Sequence, residues 1–484
     1  MSKGKKNKKI INKVSIVICT LFLIILGLFI GLLLYMDVIP SKYLNIVLGV
    51  SIGVALINSI ILYMPKVKSK IKIVFIVFAI ILSILFGFVT QKLLVTNDFL
   101  GKITNTKYET EDYYVIVLND KNYSKLSDIN NKNNKMGIYK NASKSYKDAR
   151  KQLLEKTKTT NVDYEDLSIL ADDLLNEKVN AMFISSVYKN TLDEEKATFK
   201  ESTKVLYTIS VKTAAEDISK AVKVTEQPFN IFVSGIDTTG KISNVSRSDV
   251  NMIVSVNPNT NKILLTSIPR DYYVQLHGTT GLKDKLTHAG IYGVNMSITT
   301  LEDLFNVDIN YYIRVNFTTL TKLVDNIGGI DVYSDASFYC YTDPAVYVKK
   351  GMNHFNGRKA LAFSRERYSY QEGDRHRVKN QQDVLTAIIK KISSSQTLIN
   401  KYDSILGTLD ESFQTNMSQR DIKKLVKRQL DKMPSWTIEN QSVNGTDSSA
   451  ETYSYAGQKL YVMIPDMKTV EEASARIDAF LKEK

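Results

Sequence analysis

The chain has 484 residues, a formal net charge of +14 and only two cysteines. That length gives room for two or three domains, and that charge points to an anionic partner: lipid headgroups, phosphates or nucleic acid. A disulfide framework is excluded, because Cys19 lies inside an apolar run and leaves Cys340 without a fellow.

Three apolar runs come first. Val14–Tyr35 and Tyr43–Met64 are each long enough to cross a bilayer, and Ile73–Thr90 is near the lower limit of about 17 residues. A cleaved signal peptide is the competing reading, but the first run is too long for a signal core and two more runs follow at once. Lysine sets the orientation. The tail MSKGKKNKK and the connection PKVKSKIK are rich in lysine, whereas MDVIPSK has one lysine and one aspartate. Tail and second connection are expected inside, and everything after Gln91 outside. The organisation expected is a cytoplasmic basic tail (1–13), three transmembrane helices (14–92), an extracellular accessory α/β domain (106–225) and a second extracellular domain (226–484). That topology argues against DNA binding by the outer domains, and the tail's charge is read as topology charge, with contact to DNA or anionic lipid as the alternative.

In the first outer region YYVIVL (Tyr113–Leu118) and MGIY (Met136–Tyr139) read as buried strands. SYKDARKQLLEK, opening on a serine cap, and YEDLSILADDLLNEK read as helices; NAMFISSVY returns to strand, and KVLYTISVKT completes the sheet or leads onward. Strands alternating with helices argue a small α/β unit without a catalytic constellation.

Gln227-Pro228 marks the next boundary. FNIFVSG is an apolar strand running into Ile236-Asp237, and two further strands, about Val250–Val256 and Ile263–Ile268, flank the turn-rich NPNTNK. That is a hairpin signal. In a hairpin centred on this turn Asp249 lies opposite Arg270. If the FNIFVSG strand runs parallel to the second arm, Asp237 reaches the same edge, where α/β sheets carry their ligands. Arg247 joins them there.

A lysine-rich chain then places four arginines within the thirteen residues Arg365–Arg377, in AFSRERYSYQEGDRHRVKNQQ. Arginine is a planar fork that grips phosphate or carboxylate oxygens in pairs. NGRKALAF reads as a short helix. An extended chain after it would point Arg365 and Arg367 the same way. A second helix is expected from Asp374, with Asp374, Arg377 and Gln381 on one face and the aspartate at the helix N-terminus. The competing reading is a solvated helix laced with ion pairs. His277, His288, His354 and His376 have no ligand spacing, and no Ser-His-Asp arrangement is suggested.

The set GID, RSDVNMIVSVNP, ILLTSIPRD, KLTHAGIYG, LVDNIGGIDV, HFNGRKALAFSRER and GDRHRVKNQQ, in this order, resembles the LytR-CpsA-Psr family. Three spans and an accessory domain make it most similar to the family's streptococcal capsule branch. The match covers roughly Phe229–Ile392. The resemblance implies an α/β/α sandwich binding a polyprenyl-linked pyrophosphate, its lipid in a tunnel under the sheet. It implies that Asp237 and Asp249 hold Mg²⁺, and that Arg247, Arg270, Arg365, Arg367 and Arg377 grip the pyrophosphate with Gln381 beside them. Asp249 or Asp374 is the expected base, and Arg270 is counted among the catalytic residues. One departure is Asn380, where the family often carries a further arginine.

The function expected is transfer of a glycopolymer, capsular polysaccharide, from a polyprenyl pyrophosphate carrier to peptidoglycan, with carrier hydrolysis as a side activity. Capsule biosynthesis proteins are candidate partners. The alternative is a sensor that binds lipid-linked polymer and regulates capsule biosynthesis or transcription.

Overall fold

The computed structural model describes residues 3–104, 108–140, 143, 145–236, 242, 245–394 and 413–484. Two compact units emerge: residues 1–102, 393–407 and 418–435 form one, and residues 103–392, 408–417 and 436–484 the other.

The first unit is built on three helices, α1 (Lys3–Met36), α2 (Ser41–Tyr63) and α3 (Ser69–Ile103), each long and apolar enough to cross a membrane. Cys19, Phe22, Leu26, Phe29 and Leu33 of α1 pack on Ala55 and Leu62 of α2 and Ala79 of α3. Phe29 stacks on Phe86 at 4.9 Å between ring centroids. Much of the remaining apolar surface, including Ile24, Leu28, Val50, Leu56, Ile81 and Ile84, is exposed, which water would not tolerate and lipid would. The third apolar run, near the lower limit for a span when read from residues 73–90, lies inside a helix of 35 residues. The helix continues because its polar continuation, QKLLVTNDFLGK, holds no proline and only one glycine.

The second unit opens with a five-stranded sheet. Its elements are β1 (Tyr108–Leu118), β2 (Lys135–Tyr139), α4 (Tyr146–Lys156), β3 (Thr160–Tyr164), α5 (Leu167–Leu175), β4 (Ala181–Ser185), α6 (Ser186–Glu195), α7 (Ala197–Ser202) and β5 (Thr203–Ala214). The strand order is β3-β2-β4-β1-β5. KVLYTISVKT completes this sheet as β5, antiparallel to β1. Two expectations are corrected. Ser145 does not cap α4 with its side chain; its hydroxyl bonds the buried Glu111 instead. NAMFISSVY is strand only to Ser185, whose hydroxyl accepts from Val187 N at 3.4 Å and starts α6.

Then follow β6 (Phe229–Ile236), β7 (Val250–Asn257), β8 (Lys262–Ile268), β9 (Tyr273–Val274), β10 (Asp284–Lys285), α8 (Leu286–Ala289), α9 (Val294–Phe305), β11 (Tyr311–Asn316) and α10 (Phe317–Asn326). After these come β12 (Ile330–Ser334), β13 (Phe338–Cys340), β14 (Asp343–Val348), β15 (Gly351–Phe355), α11 (Gly357–Arg365), α12 (Asp374–Ser393) and β16 (Phe413–Thr415). The chain ends with α13 (Gln419–Lys432), β17 (Thr437–Ser442), β18 (Gly445–Thr452), β19 (Tyr455–Pro465) and α14 (Met467–Lys482).

A six-stranded sheet of order β16-β11-β6-β7-β8-β17 carries this part. The hairpin forms as its sequence predicts. Asn257 Oδ1 accepts from Asn259 N and Thr260 N across the turn, and Asn261 takes the left-handed conformation at φ 54°. Alternation then decides the faces. Phe232, Ile253, Leu264 and Ile268 pack on Ile298, Leu301 and Phe305 of α9 and on Val470, Ile477 and Phe480 of α14. Ile231, Met252, Val254 and Leu265 of the opposite face are buried as well, so the sheet is covered on both sides, as in an α/β/α sandwich. The two sheets share a core: Ile291, Tyr455 and Leu460 pack with Leu167, Leu170, Tyr188 and Phe199 of the first.

Candidate active site

Strand directions bring the predicted residues to one edge. β6 is antiparallel to β7, β7 to β8, and β11 runs parallel to β6 with Asn316 level with Ile236. The carboxyl ends of β6, β8 and β11 therefore meet the start of β7. The condition for Asp237 to reach this edge is satisfied by the strand direction; Asp237 itself lies outside the described residues. Gly235 is required by closeness, since a Cβ there would come within 2.8 Å of the Val250 side chain.

At this edge Arg270 Nη1 donates to Asp249 Oδ1 at 2.9 Å, the pairing that the hairpin register predicts. Thr287 locks the two loops: its N donates to the Arg270 carbonyl at 2.8 Å, its carbonyl accepts from Ser248 N at 3.2 Å, and its hydroxyl donates to Asp249 Oδ1 at 3.4 Å. Thr287 is held in turn from below. His288 Nδ1 lies 2.6 Å from Asp284 Oδ1, both side chains buried, and Asp284 Oδ2 accepts from Ser454 N at 2.9 Å and from the Ser454 hydroxyl. The motif KLTHAG therefore positions the acidic and arginine loops rather than supplying a metal ligand.

The helix that starts at Asp374 brings the second ion pair. Arg377 Nη2 is 2.7 Å from Asp374 Oδ1, at the predicted i, i+3 spacing. Burial pushes the Asp249 carboxyl up, but Arg270, Arg247 and Arg377 outweigh it and hold the group below its ordinary value. Burial disfavours the charge of Arg270, and Asp249, Asp271 and Asp374 more than compensate, leaving its pKa raised. Arg377 is the opposite case: burial lowers its pKa despite Asp374. Asp271 sits beside Arg270 Nε at 3.4 Å and Lys285 Nζ at 3.4 Å. The Arg270–Asp271 distance suits an ion pair but the geometry is not that of a hydrogen bond, because Arg270 Nε is a buried donor without a partner, as is Arg377 Nε.

Arg365 and Arg367 are placed differently from the extended pair expected. Arg365 is the last residue of α11, its guanidinium 4.3 Å above the Phe317 ring at the carboxyl end of β11. Arg367 lies over Tyr368 at 4.6 Å. Between them Glu366 is fully buried and accepts from Tyr341 N at 2.6 Å, Tyr368 N at 2.8 Å and Ser369 N at 3.0 Å. It is a staple for the loop, and nothing in the charge pattern RER distinguishes it from its neighbours. Gln381 Nε2 reaches the Ser364 carbonyl at 3.4 Å, and Asn380, in the place of the family's further arginine, donates to the Phe363 carbonyl at 3.2 Å. Both join α12 to α11.

For a divalent cation the donor set is oxygen only. Among the described residues no group of three or more His, Cys, Asp or Glu side chains could hold a metal. Mg²⁺ asks for less, one or two carboxylates with the rest supplied by water and phosphate oxygens. Asp249, ionised and at the edge, fits that need.

Fold and edge together define a membrane-anchored α/β domain presenting buried, paired arginines at the carboxyl ends of its strands. The chain belongs to the LytR_cpsA_psr family, whose model matches residues 182–469; three apolar helices and the first sheet suit a CpsA-like member. It is similar to the polyisoprenyl-teichoic acid–peptidoglycan teichoic acid transferase TagU of Bacillus anthracis, 33% identical over 266 residues, covering 55% of this chain and 82% of that protein. It is similar also to biofilm regulatory protein A of Streptococcus mutans, 32% identical over 262 residues, covering 51% of this chain and 61% of that protein. The crystal structure of B. subtilis TagV is 29% identical, with a TM-score of 0.45, covering 54% of this chain and 99% of its own.

Proposed function

We propose that this protein transfers a glycopolymer from a polyprenyl pyrophosphate carrier to peptidoglycan on the outer face of the membrane, and that the polymer is capsular polysaccharide. The observation that carries this is the pair of buried guanidinium Nε donors, Arg270 and Arg377, without hydrogen-bond partners. A buried donor left unpaired is costly, and an anion rich in acceptor oxygens would satisfy both. Pyrophosphate is such an anion, and arginine forks match it in pairs.

In this reading Arg247, Arg270, Arg365, Arg367 and Arg377 bind the pyrophosphate and neutralise the charge that builds on it as leaving group. Asp249 keeps Arg270 aimed, and with Asp237 would hold Mg²⁺, which supplies charge neutralisation at the phosphate oxygens. A general base works best with a pKa near the working pH. The lowered pKa of Asp249 suits a ligand and an orienting group; Asp374, paired with Arg377 at the start of α12, is the second carboxylate that could take the acceptor hydroxyl's proton. The relative named a transferase supports the reaction class. The lysine-rich tail and second connection support an outer location for the site.

The test is release of polyprenyl product from a lipid-linked saccharide, with Mg²⁺ and with chelator, for the parent and Asp249→Ala. Activity needing both metal and carboxylate is expected. A second reading, a sensor of lipid-linked polymer that regulates capsule formation, is favoured by the likeness to biofilm regulatory protein A; it predicts carrier binding without turnover under every condition. Protease treatment of intact protoplasts should digest residues after Gln91 and spare the tail.

A further inference from the structure

Helix α13 is the most sharply divided among the described helices. Ile422, Leu425, Val426 and Leu430 lie on one side and Arg420 and Lys424 on the other, with Lys432 in the last turn at the border between the two. The helix belongs to the unit of the membrane helices, not to the sheet unit that its flanking strands β16 and β17 belong to. Gln429 Nε2 donates to the Ser393 carbonyl at 2.9 Å, and several residues contact one end of the three-helix bundle. Lys427 Nζ is 2.5 Å from Asp37 in the α1–α2 connection. Lys42, at the start of α2, is 3.3 Å from Asp431 Oδ1 and donates to the Asp431 carbonyl at 3.1 Å. Lys423 Nζ reaches Asn97 of α3 at 3.5 Å and sits 5.2 Å from the centre of the Tyr35 ring. Gln419 lies against Gly101 of α3.

Those contacts fix the depth of the helix. Tyr35 and Tyr43 stand at the ends of the apolar runs of α1 and α2 and are exposed, the position of aromatic residues at a membrane–water boundary. Asp37 is the first charged residue after the α1 run and Lys42 the last before the α2 run, while Asn97 lies in the polar continuation of α3 beyond Gln91 and Lys92. A helix touching all of these lies at headgroup level. Its apolar residues are only half-buried, as suits a face resting on the acyl boundary. Arg420 keeps 79% of its side chain exposed, and Lys424 and Lys432 are exposed too.

We propose that α13 is an interfacial helix whose exposed cations, Arg420, Lys424 and Lys432, bind the anionic phospholipid headgroups around this end of the bundle. Bilayer phospholipid is the occupant because the helix is continuous with the lipid-facing surface of α1, α2 and α3, and because its charge complements a phosphodiester surface. The inference rests on the membrane reading of the three helices and not on transferase activity, so an inactive protein can still pass its test.

The test is amide hydrogen exchange of residues 419–432 in the full-length protein reconstituted in nanodiscs of phosphatidylglycerol or of phosphatidylcholine. Exchange about tenfold slower in phosphatidylglycerol is expected, since each surface cation gains from an anionic lipid face. The variant Arg420→Gln/Lys424→Gln/Lys432→Gln should lose that difference while α1–α3 keep the parent's protection, which shows that the fold survives. Equal exchange in the two lipids would overturn the proposal. So would slowing in phosphatidylcholine on adding farnesyl pyrophosphate with no effect of phosphatidylglycerol, which would make the stripe a site for the carrier.

Discussion

Helices α12 and α13 look alike as sequences and differ as physical objects. Both are cationic: α12 carries Arg375, Arg377, Lys379, Lys390 and Lys391, and α13 carries Arg420, Lys423, Lys424, Lys427, Arg428 and Lys432. In α12 the first turns are buried among polar neighbours. Arg377 keeps 11% of its side chain exposed and is held by Asp374, while His376, Asn380 and Gln382 of the same helix are buried. In α13 only Asp421 is buried. The difference teaches that charge density does not tell an enclosed site from an open surface. What tells them apart is whether uncharged polar residues are buried beside the charges, because a buried polar group must be given a partner.

The largest effect expected at the sheet edge is from Arg270→Ala. It leaves Asp249 buried without its ion pair, and breaking a buried pair costs about 3–5 kcal/mol. Urea unfolding of the full-length protein in detergent measures it. Replacing both partners, Asp249→Leu with Arg270→Met, should recover most of that stability, while binding of farnesyl pyrophosphate stays lost. If the double variant were as unstable as Arg270→Ala, the pair would be structural and the contrast with α13 would lose its functional meaning.

Next in size are Arg365→Ala and Arg367→Ala, each expected to weaken farnesyl pyrophosphate binding by about 1.5–3 kcal/mol, the worth of a hydrogen bond to a charged group. Calorimetry reads this directly. Lysine at either position should restore only part, since it lacks the fork and stacks less well on Phe317 or Tyr368. Unchanged affinity in both variants would mean that this segment, like the exposed cations of α13, does not grip the pyrophosphate.

Much of this edge was legible before the structure. The turn NPNTNK set the register that pairs Asp249 with Arg270, because a hairpin's register follows from its turn. The start of α12 at Asp374 and the Asp374–Arg377 pair follow from helical spacing. Thr287, Glu366 and Phe317 were not legible as site residues. Each acts through contacts between segments distant in sequence: Thr287 across 38 residues to Asp249, Glu366 across 25 to Tyr341. Periodicity carries no such information. Arg365 departs from the extended reading for a local reason, since α11 runs two residues beyond NGRKALAF and ends at Arg365 itself. The membership of α13 in the membrane unit was equally invisible, because the strands on either side of it belong to the other unit.

Acid pH separates the two regions further. The pKa of Asp249 is lowered by Arg270, Arg247 and Arg377 against the opposing effect of burial. Such a group adds stability above its unfolded value of about 3.9 and loses it as pH falls through the lower folded value. The stability difference between the parent and Asp249→Asn should therefore be flat from about pH 8 to pH 5 and shrink below about pH 4. A difference that changed between pH 5 and 8 would mean that another group, and not Asp249, dominates.

The smallest effect expected is that of Lys424→Ala or Arg420→Ala on unfolding in detergent, within about 0.5 kcal/mol. Both side chains are exposed, and the Arg420 Nε is 4.0 Å from Asp421. A contact of that length, with the Arg420 guanidinium in solvent, contributes little. The interior-facing Lys427→Ala is the useful control, because its Asp37 contact ties α13 to the α1–α2 connection and its loss should loosen the helix in any lipid. If Lys424→Ala destabilised the detergent-solubilised protein as much as Lys427→Ala, the exposed stripe would be serving the fold, and its cations would no longer be available to set apart a lipid-facing helix from the arginine-lined edge.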